Sequence, residues 1–322
     1  MAISSVAFLT FAAAKTGSLL FGGVDTGKYE GNMANIAMYP SADSGVVDRF
    51  SVAFTSLSIT SPSGSDTLTP TAYGEAVVLD SGTTLTYLPD DLANAVYNEV
   101  GAVYSSEVEA ALCDCYTGDV DGTLNFGFAG ANGVTIKVPM SELVSPLFLN
   151  DGSQGSFTNG QPACIFGIGP LSSLGDGSPI LFGDTVLRSA YVVYDLKNFR
   201  IGLAPTKFNS TDSNVVAFPS LGASIPSATT VVNEAAVTQT ATKGVVGPVP
   251  EQTAAPTATN SIGGGLFTGN AGPGFATAAT QTTAATGTSK PKKNAGGREM
   301  PFSWQAVSLV ALTMCFITQS FI

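Results

Sequence analysis

Up to about residue 208 the chain is divided into short β-branched and aromatic runs, and this segmentation most limits what it can fold into. "SLLFGGV", "RFSVAFTSLSI", "AVVLDSG", "TLNFGFAG", "VTIKVPM", "ACIFGIG", "PILFGD", "YVVYDL" and "RIGLAP" follow one another with glycine-rich turns between them. A globular, mostly β region reads this way. One stretch, "DDLANAVYNEVGAVYS" (90–105), has helical spacing instead, with Leu92, Val96 and Val100 at i, i+4 and i+8, and Asp90 or Asp91 placed to cap it. The expectation is an all-β lobe with one or two short helices over residues 1–208.

After 208 the composition changes. Residues 209–293 are dominated by Ala, Thr, Ser, Gly and Pro, with almost no aromatics and no periodicity. Such a segment buries too little apolar surface to offset its ordering entropy, so a disordered stalk is expected, either bearing O-linked sugars or bare. Asn209-Ser210-Thr211 is the only N-glycosylation sequon and stands where the lobe ends. Residues 294–322 hold small residues, Asn294-Ala295-Gly296-Gly297, a short polar spacer, Arg298-Glu299, and the apolar tail "WQAVSLVALTMCFITQSFI". Small site, spacer and tail together form the signal for transfer onto a glycosylphosphatidylinositol (GPI) membrane lipid, with Asn294 the attachment residue and Gly296 its alternative. A plain membrane helix is the competing reading, weakened by the polar residues of the tail. At the other end, "MAISSVAFLTFAAAK" lacks a basic leader and reads as a strand, not as a signal peptide.

Composition narrows the chemistry. There is no histidine, which removes Ser-His-Asp and Cys-His nucleophile systems and histidine-ligated zinc. Carboxylates are left as the acid and base groups. The net charge is −11, and residues 1–208 hold 20 acids against 8 bases. A nucleic-acid partner is therefore not expected, and work at low pH, where self-repulsion fades, is favoured. Cys113, Cys115, Cys164 and Cys315 form neither a redox pair nor a zinc set. One disulfide closing on Cys164 is the simplest reading and implies an oxidising compartment; four reduced thiols are the other. No metal or organic cofactor is implied.

Two triplets carry the remaining signal: Asp25-Thr26-Gly27 and Asp80-Ser81-Gly82. Asp80 ends the buried-strand run Ala76-Val77-Val78-Leu79 and opens a turn of small residues, Ser81, Gly82, Thr83 and Thr84, whose N–H and hydroxyl groups can hold a carboxylate and control its pKa. Asp25 lies between a glycine pair and Lys28-Tyr29. Nothing local shields or pins it, and it is read as a decoy.

With these residues in view, "TGSLLFGGVDTGKYEG", "AVVLDSGTTLTYLP" and "PILFGDTVLRSAYVVYDLKNFRIGLA", in that order, resemble pepsin-like aspartic proteases, most of all the fungal, GPI-anchored yapsin type. The likeness spans about residues 3–207. It implies the C-terminal lobe of a bilobal acid-protease fold, with the Asp25 segment a structural hairpin and Asp80 the second catalytic aspartate. It further implies that Thr83 supports Asp80, that Thr84 contacts substrate backbone, and that Leu181-Phe182-Gly183 crosses beneath Asp80. The lobe disulfide would join Cys164 to Cys115, with Cys113 the alternative. Substrates would be peptides or proteins, cut in acid at the outer face of the plasma membrane or in the cell wall.

The family mechanism needs two aspartates sharing one proton, and the first belongs with a flap tyrosine in an N-terminal lobe. This sequence would begin within the strand before the hairpin, so half of an active site is expected. Three arrangements compete: a fragment of a secreted protease, a non-catalytic lobe displayed at the surface as a binding or structural element, and a pair of copies each supplying an Asp80.

Overall fold

The strand Ser51–Ser61 shows how the apolar pattern becomes a sheet. Val52, Phe54, Leu57 and Ile59 are buried while Ser56 is exposed. Burial at both 54 and 57 breaks the period of two. The break falls where pairing with Thr123–Phe128 slips between Gly127 and Phe128, and this bulge returns the apolar side chains to the core. The computed structural model describes residues 5–11, 16–41, 44–232 and 234.

Three sheets dominate these residues. The largest orders Thr16–Phe21, Ser5–Phe11, Ala190–Asp195, Arg200–Pro205, Met33–Ala37 and Ala228–Thr230. A second orders Val134–Pro139, Thr123–Phe128, Ser51–Ser61, Glu75–Leu79 and Ile180–Phe182, with Gly64–Thr67 also paired to Ser51–Ser61. A third orders Val144–Pro146, Ala163–Phe166, Ala110–Asp114 and Val103–Ser105. The main core is aromatic at its centre: the Phe54 ring lies 5.0 Å from Phe182, 6.0 Å from Phe126 and 6.1 Å from Phe128. The architecture is all-β, with one three-turn helix, Asp90–Val100, and two single-turn helices, Met140–Leu143 and Asp184–Leu187.

Three expectations are corrected. The helix ends at Val100, not Ser105, because Gly101 turns left-handed (φ 69°) and Val103–Ser105 joins a sheet. Neither Asp90 nor Asp91 caps it; Pro89 holds the cap position, and Asp90 Oδ1 accepts from the Ser172 N–H at 3.0 Å. The lobe also runs beyond 208. Val215–Ala217 pairs with Gly23–Asp25, and Ala228–Thr230 adds to Met33–Ala37. Ile225 and Val231 are buried, and Glu234 pairs with Arg200 and accepts from the Ala37 N–H. Composition averaged over a long window hides anchors this sparse. Asn294, Gly296 and the apolar tail lie outside the described residues. No helix among the described residues is long and apolar enough to cross a membrane.

Candidate active site

Asp80 sits where two parallel pairings meet. Ile180–Phe182 runs parallel to Glu75–Leu79, placing Ile180, Leu181 and Phe182 opposite Val77, Val78 and Leu79. The Asp80 N–H donates to the Phe182 carbonyl at 3.0 Å. The chain turns through Ser81 and Gly82, then enters Thr86–Leu88, parallel to Ile168–Pro170. At the crossing, the Asp184 and Thr185 N–H groups donate to the Thr83 and Thr84 carbonyls at 2.8 and 3.2 Å. Gly183 has to be glycine for lack of room: a Cβ there would run into the Thr83 and Leu85 carbonyl oxygens.

The carboxylate of Asp80 is held on both oxygens. Oδ1 accepts from the Gly82 N–H at 2.9 Å, and Oδ2 from the Thr83 hydroxyl at 2.6 Å. Two donors from adjacent residues fix the direction of the carboxylate. Ser81, Gly82 and Thr84 are exposed, Asp80, Thr83 and Leu181 half-buried, and Phe182 and Gly183 buried. The loop thus lies at the surface above a buried floor.

Local sequence did not disclose several residues of that floor. The buried Thr185 hydroxyl donates to the Gly167 carbonyl at 2.9 Å and lies 3.0 Å from the Thr86 hydroxyl, tying three segments together. Tyr194, its ring tilted against Phe50 with centroids 4.3 Å apart, has its phenol pKa raised by burial and further by the charge of Asp80. Burial raises the Asp184 carboxyl as well; Arg188 opposes the shift, and Asp80's charge adds to it. The only early sign of Asp184 and Thr185 was their place directly after Gly183 in "FGDT".

Asp25 is pinned after all. It is 8% exposed. Its Oδ1 accepts from the Gly27 and Asn214 N–H groups at 3.0 and 2.7 Å, and its Oδ2 from the Ser213 hydroxyl at 2.7 Å. Burial would raise its pKa, but these bonds to Asn214, Ser213 and Gly27 outweigh it and hold the carboxyl below the usual range. Two of the partners lie 188 and 189 residues downstream, beyond any local reading. The carboxylate is committed to joining the hairpin to the segment after 208, so Asp25 remains structural.

The disulfide joins Cys115 to Cys164, and Cys113 is a buried thiol. Asn209 is exposed, in left-handed backbone (φ 56°). No cluster of three metal-ligating side chains occurs among the described residues.

The family profile described as eukaryotic aspartyl protease matches residues 2–206. The chain belongs to that family. This aspartyl protease lobe is 40% identical over 227 residues to a probable aspartic-type endopeptidase of Arthroderma otae, covering 70% of this chain and 46% of that protein. It is 31% identical over 316 residues to aspartic proteinase 3 of Saccharomyces cerevisiae, covering 96% of this chain and 48% of that one. Secreted aspartic protease 9 of Candida albicans is 35% identical over 209 residues, 64% of this chain and 35% of its own length. Among solved structures, the aspartic proteinase from Irpex lacteus aligns with 66% of this chain and 60% of its own at 25% identity, with a TM-score of 0.48. The chain spans about half the length of the first of these curated relatives.

Proposed function

We propose that this lobe supplies one of the two catalytic carboxylates, Asp80, of an endopeptidase that hydrolyses peptide bonds in acid. The observation that carries this is the outward-facing Asp80, held on both oxygens above the parallel crossing with Ile180–Phe182. In the cycle, one ionised aspartate takes a proton from a water that attacks the peptide carbonyl. Its protonated partner hydrogen-bonds the carbonyl oxygen, and the roles then exchange. Thr83 holds Asp80, and exposed Thr84 meets the backbone of an extended peptide. The partner carboxylate comes from a second, N-terminal lobe. Asp25, in the other such triplet of this chain, is spent on Gly27, Ser213 and Asn214.

The test is Asp80→Asn in the full enzyme carrying this lobe, assayed on an unstructured peptide at pH 4. Cleavage is expected to fall by a factor on the order of 10² to 10⁴. Unchanged cleavage would assign the lobe to a non-catalytic role.

The same reading places the protein at the outer cell surface, with a stalk after Glu234 and GPI attachment at Asn294 or Gly296. Supporting it are the Cys115–Cys164 disulfide, the exposed Asn209 sequon, the small-residue site before the apolar tail and the secreted relative. Release from membranes by a phosphatidylinositol-specific phospholipase, in a form lacking Trp304, checks it. Retention of Trp304 in membrane-extracted protein overturns it.

A further inference from the structure

Two cysteines share one face of the third sheet, and a third, Cys115, opens the turn directly after it. Cys113 lies directly opposite Cys164 in the antiparallel register of Ala110–Asp114 on Ala163–Phe166. Both pack into the main core with Ala111 and Phe166, and Cys115 packs against the same cluster. Leu112 and Ala163, one position along, belong to a different cluster on the other face. Directly opposed residues of an antiparallel pair have Cα atoms about 4.5–5.5 Å apart, inside the roughly 4.4–6.8 Å that a disulfide spans. The resting pair, Cys115 and Cys164, has a Cα separation of 5.0 Å. Cys164 therefore has two partners within reach.

We propose that the lobe carries a second, latent disulfide, Cys113–Cys164, reached from the resting Cys115–Cys164 bond by thiol–disulfide exchange. The Cys113 thiolate attacks the Cys164 Sγ. The Cys113–Cys164 bond forms, the Cys115–Cys164 bond breaks, and its electron pair leaves with the Cys115 sulfur, which takes up a proton from water equal to the one Cys113 released. Nothing is oxidised or reduced overall, so no external oxidant is needed.

Chain entropy does not choose between the bonds. The resting loop has a sequence separation of 49, and its alternative is only two residues longer. Local contacts choose. Cys113 lies inside the strand Ala110–Asp114, whereas Cys115 begins the tight turn 115–119, whose Thr117 is buried. Burial pushes the Cys113 thiol up to about 12, so little thiolate exists in neutral medium and almost none in acid. Either cysteine can capture Cys164 during oxidative folding, and acid then freezes the pairing. Exchange would also move a free thiol from sealed Cys113, 0% exposed, to half-buried Cys115 beside exposed Tyr116.

The experiment uses the oxidised 322-residue chain. Cleavage before Asp114 puts Cys113 and Cys115 on different peptides, and mass spectrometry then identifies each linkage. The chain is held at pH 9 or pH 5, quenched with acid, alkylated and mapped; Cys115→Ser is mapped alongside. Cys113–Cys164 linkage is expected in a minor fraction of wild type at pH 9, with Cys115 alkylated in that fraction, and throughout in Cys115→Ser. At pH 5 wild type should show Cys115–Cys164 alone. The idea is overturned if monomeric protein shows no Cys113–Cys164 linkage in either wild type at pH 9 or the variant. The pH 9 arm decides the matter should Cys115→Ser fail to fold.

Discussion

Glu75→Gln probes why this lobe is suited to acid. Glu75 opens the strand Glu75–Leu79 that leads into Asp80 and pairs across the sheet with Phe54. It is 5% exposed, and none of the ion pairs among the described residues includes it. Burial raises its carboxyl to about 7, from an ordinary value of 4.5. A folded-state value above the unfolded one means stability that is complete below pH 4.5 and is lost as pH climbs through 7. The gap is worth about 3 kcal/mol, a large share of the roughly 5–15 kcal/mol that holds a domain together. Glutamine keeps the shape and cannot ionise. Urea unfolding of both chains at pH 4.5, 6 and 8, followed by near-ultraviolet circular dichroism, measures the effect. The stability of the Glu75→Gln variant relative to wild type should rise by about 3 kcal/mol between pH 4.5 and pH 8. Because a difference between two chains is read, Asp25 and Asp184, which also titrate with shifted values, cancel. A constant offset at all three pH values would refute the argument and place the ionised carboxylate in a solvated or paired setting.

Other expectations follow from the geometry. Gly183→Ala should cost at least about 3 kcal/mol or leave the lobe insoluble, since its methyl meets fixed carbonyls, not a movable side chain; thermal unfolding shows which. Ile225→Ala should cost about 2–5 kcal/mol although it lies beyond the compositional boundary. A chain ending at 234 should match the full chain in thermal unfolding, and one ending at 208 should melt well below it. Asp25→Asn should cost about 1.5–3 kcal/mol at pH 6. Because the folded value of Asp25 is depressed, this loss should be complete above the usual carboxylate range and shrink as pH falls through the folded value. Acid proteolysis by the full enzyme should survive that substitution at temperatures where it remains folded.

The sequence alone determined whatever depends on neighbours along the chain. Short apolar runs between glycine turns specified an all-β lobe. The strand leading into Asp80 and the small residues after it marked the candidate carboxylate, because its holding groups, Gly82 and Thr83, are two and three residues away. Tertiary structure decided what depends on segments far apart in the chain. Asp25 looked unheld because its partners Ser213 and Asn214 arrive from the far end of the lobe. Glu75 reads as an ordinary acid until the sheet closes over it. Thr86 and Thr185, 99 residues apart, meet only when the two parallel strands cross. Cys113 and Cys115 stand two apart in the sequence, and only the tertiary structure, with Cys113 inside the strand Ala110–Asp114 and Cys115 opening the turn 115–119, pairs Cys115 with Cys164. Backbone periodicity and turn chemistry act over a few residues, whereas burial and hydrogen bonding follow distance in space, and this is why the line between the two falls where it does.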